Sequence, residues 1–279
     1  MRIIKGIDVA NSINEEIFSK TAQVLKKPCL ATVRIGERGD DISYEKGAVK
    51  KMNKLNLEHK SFVFDADISN EQFLKELSKI NNNDEIDGIL LFRPLPKQID
   101  EKAVIDIINP DKDIDCISRE NIAKLFIGES DGFVPCTAQA VMEAVHFAGI
   151  DLNGKKVVVL GRSMVIGKPL SMLMLKENAT VTICHSKTKQ LKDECKRADI
   201  LVCAIGKSKF IDDKFVKDGA VVIDVGINVD ENGNITGDVD FDKVAEKTSV
   251  ITPVPGGIGA ITTSVLAKQL VKAYFKQNV

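Results

Sequence analysis

Along most of the chain, apolar runs of strand length alternate with amphipathic stretches of helical length, and this alternation limits the fold more than any other feature. Three such runs come first: Cys29–Ile35 (CLATVRI), His59–Phe64 (HKSFVF) and Asp87–Phe92 (DGILLF). Between them lie the amphipathic stretches Asp41–Leu55 and Asn70–Ile80. A second series follows Gly154: Lys156–Leu160 (KVVVL), Thr180–Cys184 (TVTIC), Ile200–Ile205 (ILVCAI) and Ala220–Val225 (AVVIDV), with a further candidate in Glu246–Thr252 (EKTSVIT). Runs apolar on both faces suit strands buried on both faces. Strand-then-helix repetition predicts a mainly parallel sheet with helices on both faces. The helical pattern Ala140–Phe147 reads as a bridge between two units. The last helix, Thr263–Lys276, is expected to pack back on the first unit.

Composition narrows the class. The 279 residues are 44% hydrophobic and 28% charged, an ordinary globular balance. A formal net charge of -1 gives no global field that calls for nucleic acid or a membrane surface. No apolar run approaches the roughly 20 residues of a membrane span. The N-terminus (MRIIKGIDVANSINEEIF) turns polar too early for a secretory signal, so a cytoplasmic protein is expected. Six cysteines without a C-x-x-C pair, and only three histidines, argue for reduced structural thiols and against a zinc site or any other metal centre.

The strongest local motif is Lys156–Ser171 (KVVVLGRSMVIGKPLS). A buried run ends in Gly161, a polar turn carries Arg162 and Ser163, and Gly167 opens a helical pattern with Pro169 near its start. Glycine allows the tight turn and a close backbone approach, and the helix N-terminus offers N–H groups to a phosphate. The spacing is G-x-S-x-x-x-G rather than G-x-G-x-x-G, so a simple strand-to-helix turn remains the competing reading. In an NAD site an acid about 20 residues further on holds the ribose hydroxyls. Here the next run ends in His185-Ser186-Lys187 with no carboxylate. Arg and Lys charge beside a Ser hydroxyl suits a 2′-phosphate, which favours NADP.

Several segments taken together resemble the methylenetetrahydrofolate dehydrogenase/cyclohydrolase family, and the match runs over nearly the whole chain. They are DGILLFRPLP, NPDKDIDC, PCTAQAV, VVVLGRSMVIGKPLS, TVTICHSKT, ADILVCAIGK, GAVVIDVGIN and ITPVPGGIG. The resemblance implies two α/β domains with a cleft between them. An N-terminal folate-binding domain would span 1–138, joined by the C-terminal helix 263–279, and a Rossmann-like NADP domain would span 139–262. It implies 5,10-methylenetetrahydrofolate as substrate, a homodimer and a role in one-carbon metabolism. By position, Gly161, Arg162 and Ser163 match the pyrophosphate and ribose turn, Ser186 a 2′-phosphate contact, and Ile227 a backbone contact near the nicotinamide; Gly167 is the cofactor-site glycine that opens the helix. Asp115 matches the carboxylate that holds the pterin edge, and Tyr44 the tyrosine stacked along the folate. Pro255, Gly256 and Gly257 match a loop that closes over the substrate. Taken singly, Asp115 reads as a turn acid beside Asp111 and Asp113, Tyr44 as a surface aromatic, and the Gly-Gly as a flexible turn.

The chain departs from the family where hydrolysis would occur. The family places a lysine four residues after the tyrosine, one helical turn along the same face. Here that position holds Ala48; Lys46 and Lys50 flank it, and Lys51 returns to the face two turns from Tyr44. The family glutamine before P-L-P is replaced by Phe92, followed by a new charge, Arg93. Cys116, Ala138, Ala260 and Ile261 are smaller changes. Hydride transfer from the folate methylene rests mainly on positioning, whereas hydrolysis of the methenyl cation needs an acid–base group. Alanine and phenylalanine supply none, so the sequence predicts a dehydrogenase with weak or absent cyclohydrolase. Three alternatives stand beside it: a bifunctional enzyme using Lys51 or Arg93, another NADP oxidoreductase of this plan, and a non-catalytic binding protein.

Overall fold

The computed structural model describes residues 1–278. Eleven strands occur in it: β1 (Arg2–Ile3), β2 (Cys29–Ile35), β3 (Glu58–Phe64), β4 (Gly88–Leu91), β5 (Lys156–Leu160), β6 (Thr180–Cys184), β7 (Ile200–Cys203), β8 (Val221–Asp224), β9 (Asn228–Val229), β10 (Ile235–Thr236) and β11 (Val250–Ile251). The helices are α1 (Gly6–Thr21), α2 (Gly39–Lys54), α3 (Asn70–Asn81), α4 (Glu101–Ile107), α5 (Arg119–Ile127), α6 (Cys136–Phe147), α7 (Gly167–Lys176), α8 (Leu191–Lys196), α9 (Phe241–Val244) and α10 (Thr262–Asn278).

The chain divides into two compact units. One comprises Ile13–Pro135 and the chain from Thr263 onward; Val279, the last residue of the expected 263–279 stretch, lies outside the described residues. Its sheet has the order β3-β2-β4 and is parallel throughout. Ala31, Val33, Phe73, Leu77, Ile89 and Leu91 form its dry centre. The other unit comprises Met1–Ser12 and Cys136–Thr262. Its six strands run β1-β11-β8-β7-β5-β6, again all parallel. Their continuous apolar runs are what a sheet covered on both faces requires.

Most strands fall where the hydrophobic runs place them, with instructive differences. The runs expected at Ile200–Ile205 and Ala220–Val225 end as strands at Cys203 and Asp224. One further N–H on each still bonds along the sheet, Ala204 to Leu160 O and Val225 to Cys203 O, both at 2.9 Å; the N–H groups after those turn to side chains, Ile205 donating to Asp238 and Gly226 to Asp224. The first twelve residues, expected in the N-terminal domain, belong to the six-stranded unit. There β1 extends the sheet edge, with the Arg2 N–H donating to Ser249 O at 2.8 Å and Ile4 N–H to Ile251 O at 2.9 Å. Strand β1, helices α1, α4, α5, α8 and α9 and the β9–β10 hairpin were not among the expected elements. No helix among the described residues is long and apolar enough to cross a membrane.

Helix α10 is tied into its unit by a buried amide. Gln269 Nε2 donates to Ile114 O and Val134 O, both at 2.8 Å, and Oε1 accepts from the Val134 N–H at 3.2 Å. Gln269→Leu leaves those backbone groups unsatisfied and should destabilise the protein by about 2 kcal/mol, read as a lowered midpoint in urea unfolding. An unchanged midpoint would mean that α10 is held by apolar packing alone.

Candidate active site

In an open parallel sheet, a ligand crevice forms at the carboxyl ends of the strands where the connections diverge to opposite sides. In the three-stranded sheet that point lies at β2, whose neighbours are β3 and β4. Helix α2 follows β2 and the segment Phe92–Pro96 follows β4, so both flank this end. Tyr44 on α2 and Phe92 meet there edge to face, with ring centroids 6.1 Å apart and planes at 78°. Ala48, one turn further along α2, is fully buried.

The rotation of α2 is set by Glu45, the residue after Tyr44. Its carboxylate is buried and accepts from Thr32 Oγ1 at 2.6 Å, from Arg34 Nε at 2.8 Å, and from Ser61 Oγ. Thr32 also lies 2.9 Å from His59 Nε2. Burial acts to raise the Glu45 pKa, but the bonds from Ser61, Thr32 and Arg34 outweigh it and leave the group below its ordinary value. One turn before Tyr44, Asp41 is also buried, and burial raises its pKa against the opposing charge of Arg38, 3.8 Å away.

The acidic run at 111–115 separates into three roles. Asp111 pairs with Lys276 at 2.7 Å. Asp113 is buried and builds the turn, accepting from the N–H groups of Ile117 and Ser118 at 2.9 and 2.8 Å and from Asn121 Nδ2 at 2.9 Å. Asp115 is left half-buried on the turn that Asp113 holds. Cys116 beside it adopts φ 58°, a left-handed conformation that disfavours a side chain.

In the six-stranded sheet the divergence lies at β5, between β7 and β6. The turn after β5 has no room for side chains at its two glycines. A Cβ on Gly161, whose φ is 119°, would stand 2.3 Å from Ala204 O, and one on Gly167 would stand 2.1 Å from Gly161 O. The result is a bare backbone cradle that fits a phosphate at the start of α7. Ser163 Oγ accepts from the Ile166 N–H at 3.2 Å, and Arg162 and Ser163 are exposed. The Gly161 N–H donates to Cys184 O at 2.9 Å, which brings the end of β6, with exposed Ser186 and Lys187, beside this turn. Ile227 follows β8 and is exposed. A Cβ on Gly259 would lie 3.4 Å from Ile227 Cδ1, so the Pro253–Gly259 loop, with Pro255, Gly256 and Gly257, adjoins it. All six cysteines are buried free thiols. Among the described residues no group of three or more His, Cys, Asp or Glu is placed to hold a metal ion.

Comparison with known proteins now decides the family. Residues 135–278 match the model of the tetrahydrofolate dehydrogenase/cyclohydrolase NAD(P)-binding domain, and residues 4–115 match that family's catalytic domain. The chain belongs to this family. A relative named bifunctional protein FolD, from Clostridioides difficile (strain 630), is 51% identical over 280 residues, covering 99% of this chain and 98% of its own. Among solved structures, the bifunctional methylenetetrahydrofolate dehydrogenase/cyclohydrolase of Campylobacter jejuni superposes with a TM-score of 0.95 at 33% identity, covering 99% of each chain. The Trypanosoma brucei methylenetetrahydrofolate dehydrogenase-cyclohydrolase, solved with NADP cofactor and inhibitor, gives a TM-score of 0.92 at 34% identity, covering 99% of this chain and 97% of its own.

Of the cationic groups the sequence places around Ala48 and Phe92, Lys51 and Arg93 have protein partners. Lys51 is half-buried and donates to Ser264 Oγ at 2.7 Å and more weakly to Asn14 Oδ1 at 3.4 Å; burial lowers its pKa. Lys46 and Lys50 are exposed, and Arg93 pairs with Glu101 at 3.4 Å. Sequence reading overlooked Glu45, Asp41 and Asp113, because a buried carboxylate is recognisable only with its partners in view.

The Glu45 clamp carries a pH signature. Its folded pKa lies below the unfolded value, so its stabilisation is full above the unfolded value near 4.5 and is lost as pH falls through the folded value. Glu45→Gln should lower stability by about 1–3 kcal/mol at neutral pH. The gap between mutant and parent in urea unfolding should then narrow below about pH 4.5. A gap of constant size across that range would show that the charge on Glu45 plays no part.

Proposed function

We propose that this chain is an NADP-dependent 5,10-methylenetetrahydrofolate dehydrogenase whose cyclohydrolase activity is weak or absent. The observation that carries the reading is the Tyr44 flank: a fully buried Ala48 where the family has its lysine, and Phe92 against the tyrosine ring where it has its glutamine. NADP, when bound, supplies the nicotinamide carbon that accepts a hydride from the folate methylene. Tyr44 lines the folate and Asp115 holds the pterin edge. The bare turn from Gly161 to Gly167 receives the pyrophosphate with Ser163. Arg162 and Ser186 take the 2′-phosphate. The Ile227 backbone meets the nicotinamide, and Pro255, Gly256 and Gly257 close over the substrate. The folate half is 1–138 with the C-terminal helix, less Met1–Ser12, and the NADP half is 139–262 with those residues added. The protein is read as a cytoplasmic homodimer.

No proton need pass through a protein side chain in this oxidation, because the lone pair of the bridging nitrogen expels the hydride and leaves a conjugated cation. Adding water to that cation does need a proton acceptor, and neither Ala48 nor Phe92 is one. A second reading has its own support: relatives about half identical over the full chain are named bifunctional. In that reading Lys51, whose pKa burial lowers, leaves Ser264 to act as the base.

One assay decides between them. Purified protein with 5,10-methylenetetrahydrofolate and NADP should release reduced cofactor and methenyl product one for one, after subtraction of spontaneous hydrolysis. Methenyl product that disappears faster than the blank would overturn the single-activity reading, and Lys51→Met would then test the second. For the cofactor, Arg162→Ala and Ser186→Ala should each raise the KM for NADP about tenfold, the order of a charge-assisted phosphate contact. KM for NAD should stay nearly unchanged; equal losses for both cofactors would refute the 2′-phosphate role.

A further inference from the structure

Two buried carboxylates stand behind the loops at the carboxyl ends of β7 and β8. Asp238 is fully buried. Its Oδ2 accepts from the N–H groups of Ile205 and Gly206 at 2.6 and 3.2 Å. Its Oδ1 accepts from the Lys207 N–H at 2.7 Å and from Asn228 Nδ2 at 3.0 Å. Three successive backbone N–H groups converging on one point form an anion nest. Here the nest after β7 is filled by the protein's own carboxylate. The loop it shapes adjoins the Gly161 turn, since Ala204 O is what a Cβ on Gly161 would strike at 2.3 Å. Through Asn228 the same carboxylate reaches the loop after β8 that carries Ile227.

Asp224 holds Asp238 in turn. Its Oδ1 accepts from the N–H groups of Gly226 and Asp238 at 2.9 and 3.0 Å, and its Oδ2 from the Val239 N–H at 2.9 Å. Two glycines make room for the pair. A Cβ on Gly226 would stand 2.3 Å from the Asp238 carboxyl carbon, and one on Gly237 would stand 1.9 Å from Asp224 Oδ2.

We propose that Asp238 is a positioning residue of the dinucleotide site, an internal anion that shapes the loops after β7 and β8 to receive the nicotinamide half of the cofactor. This rests on the NADP reading above. Because the N–H groups of Ile205–Lys207 point at Asp238, that loop cannot serve a cofactor phosphate. Phosphate recognition is left to the Gly161–Gly167 turn, and the β7 and β8 loops are free to face the nicotinamide end. Substitutions at Asp238 should therefore weaken the whole dinucleotide far more than its adenosine half.

The test uses the full-length protein and two variants that fail differently. Asp238→Ala removes the carboxylate; Gly226→Ala keeps it but drives a methyl into it. Titration calorimetry with NADP should show affinity about tenfold weaker in both. Adenosine 2′,5′-bisphosphate, which lacks the nicotinamide half, should bind within about twofold of the parent. Formate, a free carboxylate, should restore NADP affinity to Asp238→Ala but not to Gly226→Ala. It should also raise the thermal midpoint of cofactor-free Asp238→Ala without changing that of the parent. Parent-like NADP affinity in both variants, or equal loss of both ligands, would overturn the proposal. A parent protein that binds no NADP would overturn it together with the cofactor assignment. A parent that binds NADP yet fails to oxidise methylenetetrahydrofolate would sink the folate reading alone.

Discussion

Every strand pair in both main sheets is parallel, and the rest of the molecule follows from that. A parallel pair cannot be closed by a tight hairpin, so each strand must be followed by a crossover that returns to the starting edge. All carboxyl ends in a sheet therefore open on one side. In the six-stranded sheet this gathers the Gly161 turn, Ser186, the loop after β7, Ile227 and the Pro253–Gly259 loop along a single edge, although they span about a hundred residues of sequence. In the smaller sheet it brings α2 and the Phe92–Pro96 segment to the same end of β2, which is why Tyr44 meets Phe92.

Loops gathered in this way still need fixed shapes, and this chain uses buried carboxylates to set them. Asp113 collects two backbone N–H groups and an amide to form the turn that presents Asp115. Glu45 collects two hydroxyls and a guanidinium to set the rotation of α2. Asp224 and Asp238 do the same for the loops after β7 and β8. In each case the carboxylate is desolvated, which is costly unless its lone pairs are satisfied. The satisfaction is complete among the described residues, where no fully buried side-chain nitrogen or oxygen lacks a partner. A loop held by several converging bonds to one group cannot relax one bond without straining the others.

This division explains what could be read in the sequence. Strands β2, β5 and β6 carry the bounds that their apolar runs indicate, because a buried strand leaves a continuous hydrophobic signature. The glycine turn was legible because backbone proximity leaves glycine as its trace. Strands β7 and β8 stop short of their apolar runs where Ile205 and Gly226 give their N–H groups to carboxylates; Asp238 lies 33 residues beyond Ile205. A periodicity spanning a few residues cannot register such a partner. Strand β1 is two residues long and shows no pattern; it exists because the β11 edge offers it hydrogen bonds. Likewise Asp111, Asp113 and Asp115 alternate in one short run, and only the structure shows that Asp113 builds the turn and Asp111 pairs with Lys276.

The proposed reading of the Tyr44 flank turns on two side chains. Ala48 and Phe92 are both apolar and both buried, and Phe92 meets the tyrosine ring edge to face; on the proposed reading they stand where the family has two polar groups. Hydride transfer is favoured by a dry wall, since excluded water strengthens the electrostatics of the transfer and cannot attack its product. Hydrolysis requires the opposite: a water molecule, a place for its proton, and a lysine poised between charged and neutral. The two activities thus make conflicting demands on the same few side chains. On the reading proposed here, exchanging a lysine and a glutamine for alanine and phenylalanine resolves that conflict in favour of oxidation. The methenyl cation is then left to depart intact.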